Sequence, residues 1–178
     1  SSYIRDLTTV FMKIYSVIPD TWNVGDNKEN YPELISGYVS VLCKQSPETK
    51  LEALNLFTAP IIQAINGRQL DTQKTCGYVE TLTTWFIKGY TLKLDSTHCN
   101  TYIQSNNIIN TLCNLMAEAI EKREHQLIEC ISDCLRYMFF FLDKLMAEYA
   151  VPFSRYLIGW WNKAHFSCFI KCHLFITR

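Results

Sequence analysis

The stretch SPETKLEALNLFTAPIIQAING, residues 46–67, carries signals for both ends of one helix. Ser46 is a residue type that caps helix N-termini, and Pro47 follows at the first helical position, where its missing N–H costs no hydrogen bond. At the other end, Gly67 is typical of a C-terminal cap. Pro60 lies inside the pattern, so we expect the helix to bend there.

Further helices are predicted on both sides of this stretch. In residues 4–18, IRDLTTVFMKIYSVI, the apolar positions recur every three or four residues, as on one side of a helix. A second helix is expected from about residue 32 to residue 45, and a fourth from Asp71, as N-cap, to about Gly89. A single long helix is predicted over residues 100–120.

The C-terminal third continues in the same way. The stretch HQLIECISDCLRYMFFFLDK, residues 125–144, is predicted to be helical from about residue 124 to residue 147. A shorter helix is expected after Val151-Pro152, to about residue 161, and a last one from about residue 163. Pairs of helices joined by short turns thus recur about every 40 to 50 residues, the period of HEAT-type repeats.

We therefore predict an all-α fold, a HEAT-repeat α-solenoid in which antiparallel helix pairs stack into a superhelix. Residues 1–178 are expected to form a single continuous HEAT-repeat segment of about four helix pairs. The last helix is apolar on most sides and no polar capping helix follows it. Because solenoids need polar terminal repeats, we expect the chain to be a fragment of a longer array.

Composition excludes several function classes. The chain has 178 residues, of which 48% are hydrophobic, so it can bury a sizeable core. Its 17 basic and 17 acidic residues give a formal net charge of zero, without the basic excess of nucleic-acid-binding proteins. The longest apolar run, residues 137–142, is far shorter than the roughly 20 residues that cross a bilayer. The eight cysteines, without an N-terminal signal-peptide pattern, favour a reducing, intracellular environment.

The cysteine spacing raises the question of a metal site. Two pairs of cysteines lie one helical turn apart, and four sulfurs on two facing helices could hold a tetrahedral zinc ion. Structural zinc usually takes its ligands from tight loops, however, and a free cysteine behaves as a small buried hydrophobe, so we expect core thiols, no metal and no cofactor. The residues concerned are Cys130, Cys134, Cys168 and Cys172, with His165 and His173 nearby.

Nucleophilic catalysis would need a cysteine beside a histidine base and groups that stabilise an oxyanion. The neighbours His165 with Cys168, and Cys172 with His173, have no such groups around them in the sequence, so we expect no enzymatic activity. His98 beside Cys99 is expected to be a surface pair in a loop. In Trp160-Trp161 the side chains point about 100° apart on a helix, so one of them should face a neighbouring repeat or a partner.

Acidic residues outnumber basic ones around the turn between the helices predicted at 100–120 and 124–147. This segment is either a solvated turn or a patch that binds a basic peptide. The acidic residues are Glu118, Glu121, Glu124, Glu129 and Asp133, and the basic ones are Lys122 and Arg123.

Two stretches carry a resemblance to a known family. Residues 37–65, GYVSVLCKQSPETKLEALNLFTAPIIQAI, resemble importin-β superfamily receptors (karyopherins) of the transportin-SR and importin-13 group, in which a helix ends in a short polar-proline turn before the next helix. Residues 127–172 are similar to the same receptors in their Cys134-Leu135-Arg136-aromatic core, in the spacing to the helix after Val151-Pro152, and in the segment 165–169. The order and lengths of the helices between these stretches also fit.

The resemblance implies the middle to C-terminal HEAT-repeat segment of a nuclear transport receptor. Such a receptor binds protein cargo on its concave surface under control of the Ran GTPase. It also binds nucleoporins and shuttles through nuclear pores between cytoplasm and nucleus. It needs no cofactor, and neither direct nucleic-acid binding nor membrane insertion is expected. The alternative is a HEAT-repeat scaffold or adaptor that mediates protein–protein interactions without Ran.

The resemblance also points to cargo-binding candidates, Glu129, Asp133 and Arg136. In transportin-SR the equivalent helix is rich in arginine and reads phosphorylated Arg-Ser cargo through bidentate contacts to phosphate. Only Arg136 matches here, while Cys130, Asp133 and Phe140 stand where further arginines would be. Because Asp133 would repel a phosphate one turn from Arg136, we expect either a basic, unphosphorylated cargo or a cargo that binds elsewhere on the receptor.

Overall fold

In the computed structural model the described residues are 3–10, 37–142, 151, 154–156 and 158–159. They are helical apart from short turns and include no strand, which confirms the all-α class. Among the described residues, the five longest helices are α1 (Pro47–Asn66), α2 (Thr72–Thr91), α3 (Ser96–Ser105), α4 (Ile108–Glu121) and α5 (His125–Leu142). Residues 3–10 and 37–42 are helical as well.

Several predictions concern residues outside this set. Among the predicted helices, these predictions are the helix end near Ile18, the helix start near Pro32, the end of the helix predicted at 124–147, and the last helix. Among the predicted residues, they concern Trp160-Trp161, His165, Cys168, Cys172 and His173.

The helix starts follow from side-chain caps. Ser46 accepts a hydrogen bond from the backbone N–H of Thr49 at 3.3 Å, and Asp71 accepts one from Lys74 at 2.8 Å, so both predicted N-caps are confirmed. Asp95, which lies between the helices predicted to end at Gly89 and to start at residue 100, caps α3 by accepting from the N–H of His98 at 2.9 Å.

The helix ends show a recurring backbone feature. A residue with positive φ follows α1, α2, α3 and α4 in turn, and none of these residues is glycine. Gly67 is the C-cap of α1, as predicted, and keeps right-handed geometry with φ of −66°, so the positive φ falls on the next residue. Three of the four are basic, which suits the negative end of a helix dipole. The four residues are Arg68, Lys93, Asn107 and Arg123.

The single helix predicted over residues 100–120 is wrong. The chain turns between α3 and α4 at Asn107, whose φ is 52°. Asparagine adopts this left-handed conformation more readily than most residues. The amide Nδ2 of Asn106 donates to the carbonyl of Tyr102 at 2.8 Å and to Oδ1 of Asn55 at 2.7 Å, which ties the break to α1.

The predicted helix end at Gly89 is also wrong, because α2 continues to Thr91. Gly89 is buried, and the ring of Phe141 on α5 packs directly against it. A glycine here serves a close contact between two helices and does not stop the helix.

The main packing partners are α2 and α5, which run parallel to each other. Near their N-terminal halves Cys130 contacts Glu80, and near their C-terminal ends the ring centroids of Phe86 and Phe141 lie 5.8 Å apart. Helix α1 packs against α2, α3 and α4. The indole of Trp85 joins α2 to α1.

Polar contacts between these helices recur at similar sequence separations. Arg5 bonds to Glu52, Asn106 to Asn55 and Arg68 to Glu118, over separations of 47, 51 and 50 residues. Side chains about 50 positions apart in the sequence are therefore bonded to each other at three places.

A candidate protein-binding face on α2 and α5

Helix α5 has one exposed stripe. Its side chains alternate between buried positions, such as Ile131 and Leu135, and positions open to solvent at spacings of three and four residues. The open positions include all three predicted candidates and one aromatic residue. They are Glu129, Asp133, the half-buried Arg136, and Phe140.

Helix α2 adds a second stripe beside the first. Glu80, Ile87 and Tyr90 are exposed. The contact of Tyr90 with Phe140, and that of Glu80 with Cys130, place this stripe beside the stripe of α5. We call this surface the α2–α5 face and define it by the residues Glu80, Ile87, Tyr90, Glu129, Asp133, Arg136 and Phe140.

One half of the face is acidic. Glu80, Glu129 and Asp133 lie in the N-terminal or central turns of their helices, and each is exposed. Glu129 and Asp133 are one turn apart, a rise of about 6 Å along the axis. Three carboxylates so arranged favour a positively charged ligand group.

Arg136 is held by its own helix. Its Nη2 lies 3.4 Å from Oδ1 of Asp133, and its Cζ lies 4.7 Å from the ring centroid of Tyr137. The second contact has cation–π geometry. The Nε atom is buried, and no hydrogen-bond acceptor lies within reach of it among the described residues. The carboxylate of Asp133 therefore lies beside this guanidinium, where its negative charge would repel a phosphate.

The other half of the face is aromatic. Tyr90 and Phe140 are 49% and 48% exposed, yet their ring centroids lie only 5.3 Å apart at an interplanar angle of 62°. Ile87, one turn before Tyr90, is 41% exposed. A cavity of about 570 Å³ opens beside Tyr90 and is lined in part by Leu94 and Phe141. This half could receive an apolar side chain.

The two rings of the aromatic half, Tyr90 and Phe140, were not among the predicted cargo-binding candidates. Phe140 follows Asp133 by seven residues, so helical spacing alone would have placed it on the stripe of the acidic candidates. Tyr90 carried no such signal, because its contact with Phe140 depends on how α2 packs against α5.

The acidic segment predicted around residues 118–133 is divided in space. Glu118 pairs with Arg68, whose Nε lies 3.0 Å from its Oε2, while Glu129 and Asp133 belong to the α2–α5 face. The sequence pattern could not show this partner, because Arg68 lies 50 residues away.

The cysteines and the histidine singled out in the sequence differ in burial. Cys134 is fully buried, as expected of a packing residue, but Cys130 is only half-buried. The expectation of a surface pair at His98 is wrong for Cys99, which is buried in α3, and burial raises the pKa of this thiol to about 11. The Nδ1 atom of His98 lies 2.7 Å from Oδ1 of Asp95.

Within the described ranges no group of three or more histidine, cysteine or acidic side chains is arranged to hold a metal ion. None of the helices that the structure describes is both long and apolar enough to cross a bilayer.

The chain was compared with protein-family models, with curated proteins and with solved structures, and none of the three comparisons found a match.

Proposed function

We propose that this chain is a HEAT-repeat segment of a nuclear transport receptor of the importin-β superfamily. In this proposal it binds protein cargo on the α2–α5 face, and Ran-GTP controls the binding. The receptor binds nucleoporins as it moves through nuclear pores between cytoplasm and nucleus. The observation that supports it best is the arrangement of α2 and α5, two parallel helices that present carboxylates and aromatic rings on one continuous surface.

The packing order supports a stacked array. Helix α2 packs on α5, and α1 packs on α3 and α4, so each helix contacts the one expected at the same place in the next repeat. Helix α1 also contacts α2, and α4 contacts α5, as the two members of a pair should. In a HEAT solenoid these relations produce two layers of helices, of which α2 and α5 would form the inner one.

The proposed cargo is a peptide segment with a basic residue followed by an apolar one. The basic side chain would lie against Glu129 and Asp133, and the apolar one against Tyr90 and Phe140. Asp133 and Phe140 are separated by seven residues of helix, or about 10 Å. An extended peptide covers this distance with about three residues.

Phosphorylated cargo is disfavoured on this face. Arg136 already contacts Asp133, so a phosphate would have to displace a carboxylate and then remain next to it. Like charges at that distance repel.

The cargo site can be tested by removing its charge while its shape is kept. A double variant Glu129→Gln, Asp133→Asn of the full-length protein should bind a fluorescent Lys-x-x-Phe peptide up to about thirtyfold more weakly, since each of the two exposed carboxylates contributes up to about 1 kcal/mol. A matched control, Asp6→Asn with Glu121→Gln, removes two exposed charges elsewhere and should bind like the wild type. Equal binding by both double variants would show that the carboxylates of this face do not bind the cargo.

Transport is tested separately from peptide binding. The full-length protein should bind Ran loaded with GTP in preference to Ran loaded with GDP, and Ran-GTP should change its cargo affinity. It should also enter nuclei of permeabilised cells.

The scaffold alternative rests on the same face and would use the same peptide chemistry. Stable association with a fixed protein complex that Ran-GTP does not alter, together with no nuclear entry, would favour the scaffold and reject the receptor.

A further inference from the structure

Two of the described cysteines face each other across the α2–α5 contact. Cys76 lies in the second turn of α2, and Cys130 lies in the second turn of α5. The sulfur of Cys130 is 3.7 Å from Oε1 of Glu80, which its S–H can donate to and which lies one turn after Cys76, so the two cysteines lie in facing turns of the two helices. By contrast, Cys43 and Cys99 contact backbone carbonyls.

The two thiols differ in access. Cys130 is half-buried at the edge of the α2–α5 face, next in sequence to the exposed Glu129, whereas Cys76 is only 3% exposed and lies behind it. A small reagent can therefore reach the outer sulfur first, and the inner sulfur is placed to react with the product. Cys134, one turn further along α5, is fully buried and offers no such access.

The pair is also coupled in its protonation. The hydrogen bond with Cys76, and after it burial, raises the pKa of Cys130, while the same hydrogen bond lowers the pKa of Cys76. These directions keep the remaining proton mainly on Cys130 once the pair has lost one proton, so Cys130 has to lose it to the solvent before the accessible sulfur can attack.

We propose that Cys76 and Cys130 form a redox-modifiable dithiol, which closes to a disulfide by exchange with a small-molecule disulfide such as oxidised glutathione. The thiolate of Cys130 attacks one glutathione sulfur, forms a mixed disulfide and releases one glutathione thiolate, which takes up a proton. Cys76 then attacks the sulfur of Cys130, loses its proton to water and releases the second glutathione. Two protein thiols are oxidised and one glutathione disulfide is reduced to two thiols, so atoms and electrons balance.

The disulfide would link α2 to α5 within the acidic half of the face. It would also take the S–H donor of Cys130 away from Glu80. The reaction is independent of the proposed transport function, because it depends only on these two helices.

The test is a redox titration of the full chain. The reduced protein is equilibrated with mixtures of reduced and oxidised glutathione, quenched with an alkylating agent and mapped by mass spectrometry of its peptides. We expect a peptide pair linked through Cys76 and Cys130, which a reductant separates again. A Cys130→Ser variant should lose the linked pair, and the matched control Cys113→Ser should keep it, because Cys113 is a buried thiol of α4.

Cys43, which is exposed, serves as the internal standard for the oxidant. Two results would overturn the proposal. One is glutathione that stays on Cys130 while no peptide pair is linked. The other is that Cys76 and Cys130 both stay unmodified at a ratio of reduced to oxidised glutathione that modifies Cys43. A second measurement needs no variant. A trivalent arsenical binds two neighbouring thiols at once, so it should protect Cys76 and Cys130 together from alkylation in the reduced protein. Protection of neither thiol would also overturn the proposal.

Discussion

The ring of Phe141 occupies the space that a side chain at Gly89 would need. A β-carbon built on Gly89 would lie 2.8 Å from Cε2 and 3.1 Å from Cδ2 of this ring. Carbon atoms in contact are normally about 3.5 to 4.0 Å apart. The last turn of α2 and the end of α5 can therefore approach this closely only because position 89 has no side chain.

A Gly89→Ala variant is expected to lower the free energy of unfolding by about 1–3 kcal/mol, as overpacking of a buried contact does. The expected gain in helix propensity is smaller, up to about 1 kcal/mol. Urea denaturation followed by circular dichroism measures the difference. Gly77 is the matched control, since it lies in the same helix and a β-carbon there would meet nothing within 4 Å. Gly77→Ala should stabilise the protein, and a similar effect of both substitutions would contradict the role given to Phe141.

The hydroxyl groups of Thr58 and Tyr102 form a buried hydrogen bond of 2.5 Å between α1 and α3. Burial raises the pKa of Tyr102, whose ring has no access to solvent. A Thr58→Val variant should lose about 1–3 kcal/mol, because the phenol is left without this partner. Adding Tyr102→Phe removes the unsatisfied group, so the double variant should recover much of the loss. A double-mutant cycle in urea gives the coupling, and additive losses would show that the bond contributes little.

Lys93, directly after the end of α2, has a φ of 53°, which strains any residue with a β-carbon. Lys93→Gly is expected to raise the free energy of unfolding by up to about 1 kcal/mol, once the larger entropy of glycine in the unfolded chain is included. Lys93→Ala keeps the β-carbon and should bring no such gain. Equal thermal stability of the two variants would show that the backbone is not strained there.

Acid should weaken the start of α3. The hydrogen bond from the N–H of His98, and then the contact with its ring, lowers the pKa of Asp95 below its usual 3.8. The folded state therefore holds the proton more weakly than the unfolded state. The added stability is present above about pH 4 and is lost as the pH falls through the folded-state pKa.

The variant Asp95→Asn can still cap the helix but cannot titrate. The urea midpoint of the wild type should exceed that of this variant at pH 6, and the difference should shrink towards pH 2. A difference that stays constant over this range would contradict the assignment.

Local chemistry within one turn of helix was sufficient to predict much of the secondary structure. Ser46 and Asp71 cap helices where their sequence context placed them, because a cap needs only a side chain and an N–H two or three residues away. The same kind of reasoning failed at Gly89 and at Asn106. Their conformations depend on Phe141 and Asn55, which lie about 50 residues away in the chain.

The residues of the α2–α5 face were likewise predictable only in part. The spacing of Glu129, Asp133 and Arg136 was enough to place them on one side of a helix, since a helix repeats every 3.6 residues whatever surrounds it. The contact of Tyr90 with Phe140, and that of Cys76 with Cys130, required α2 and α5 to pack in parallel at one register. That register results from the burial of side chains from both helices at once. The sequence by itself therefore determined the helices and their exposed stripes, while only the tertiary structure decided which stripes meet.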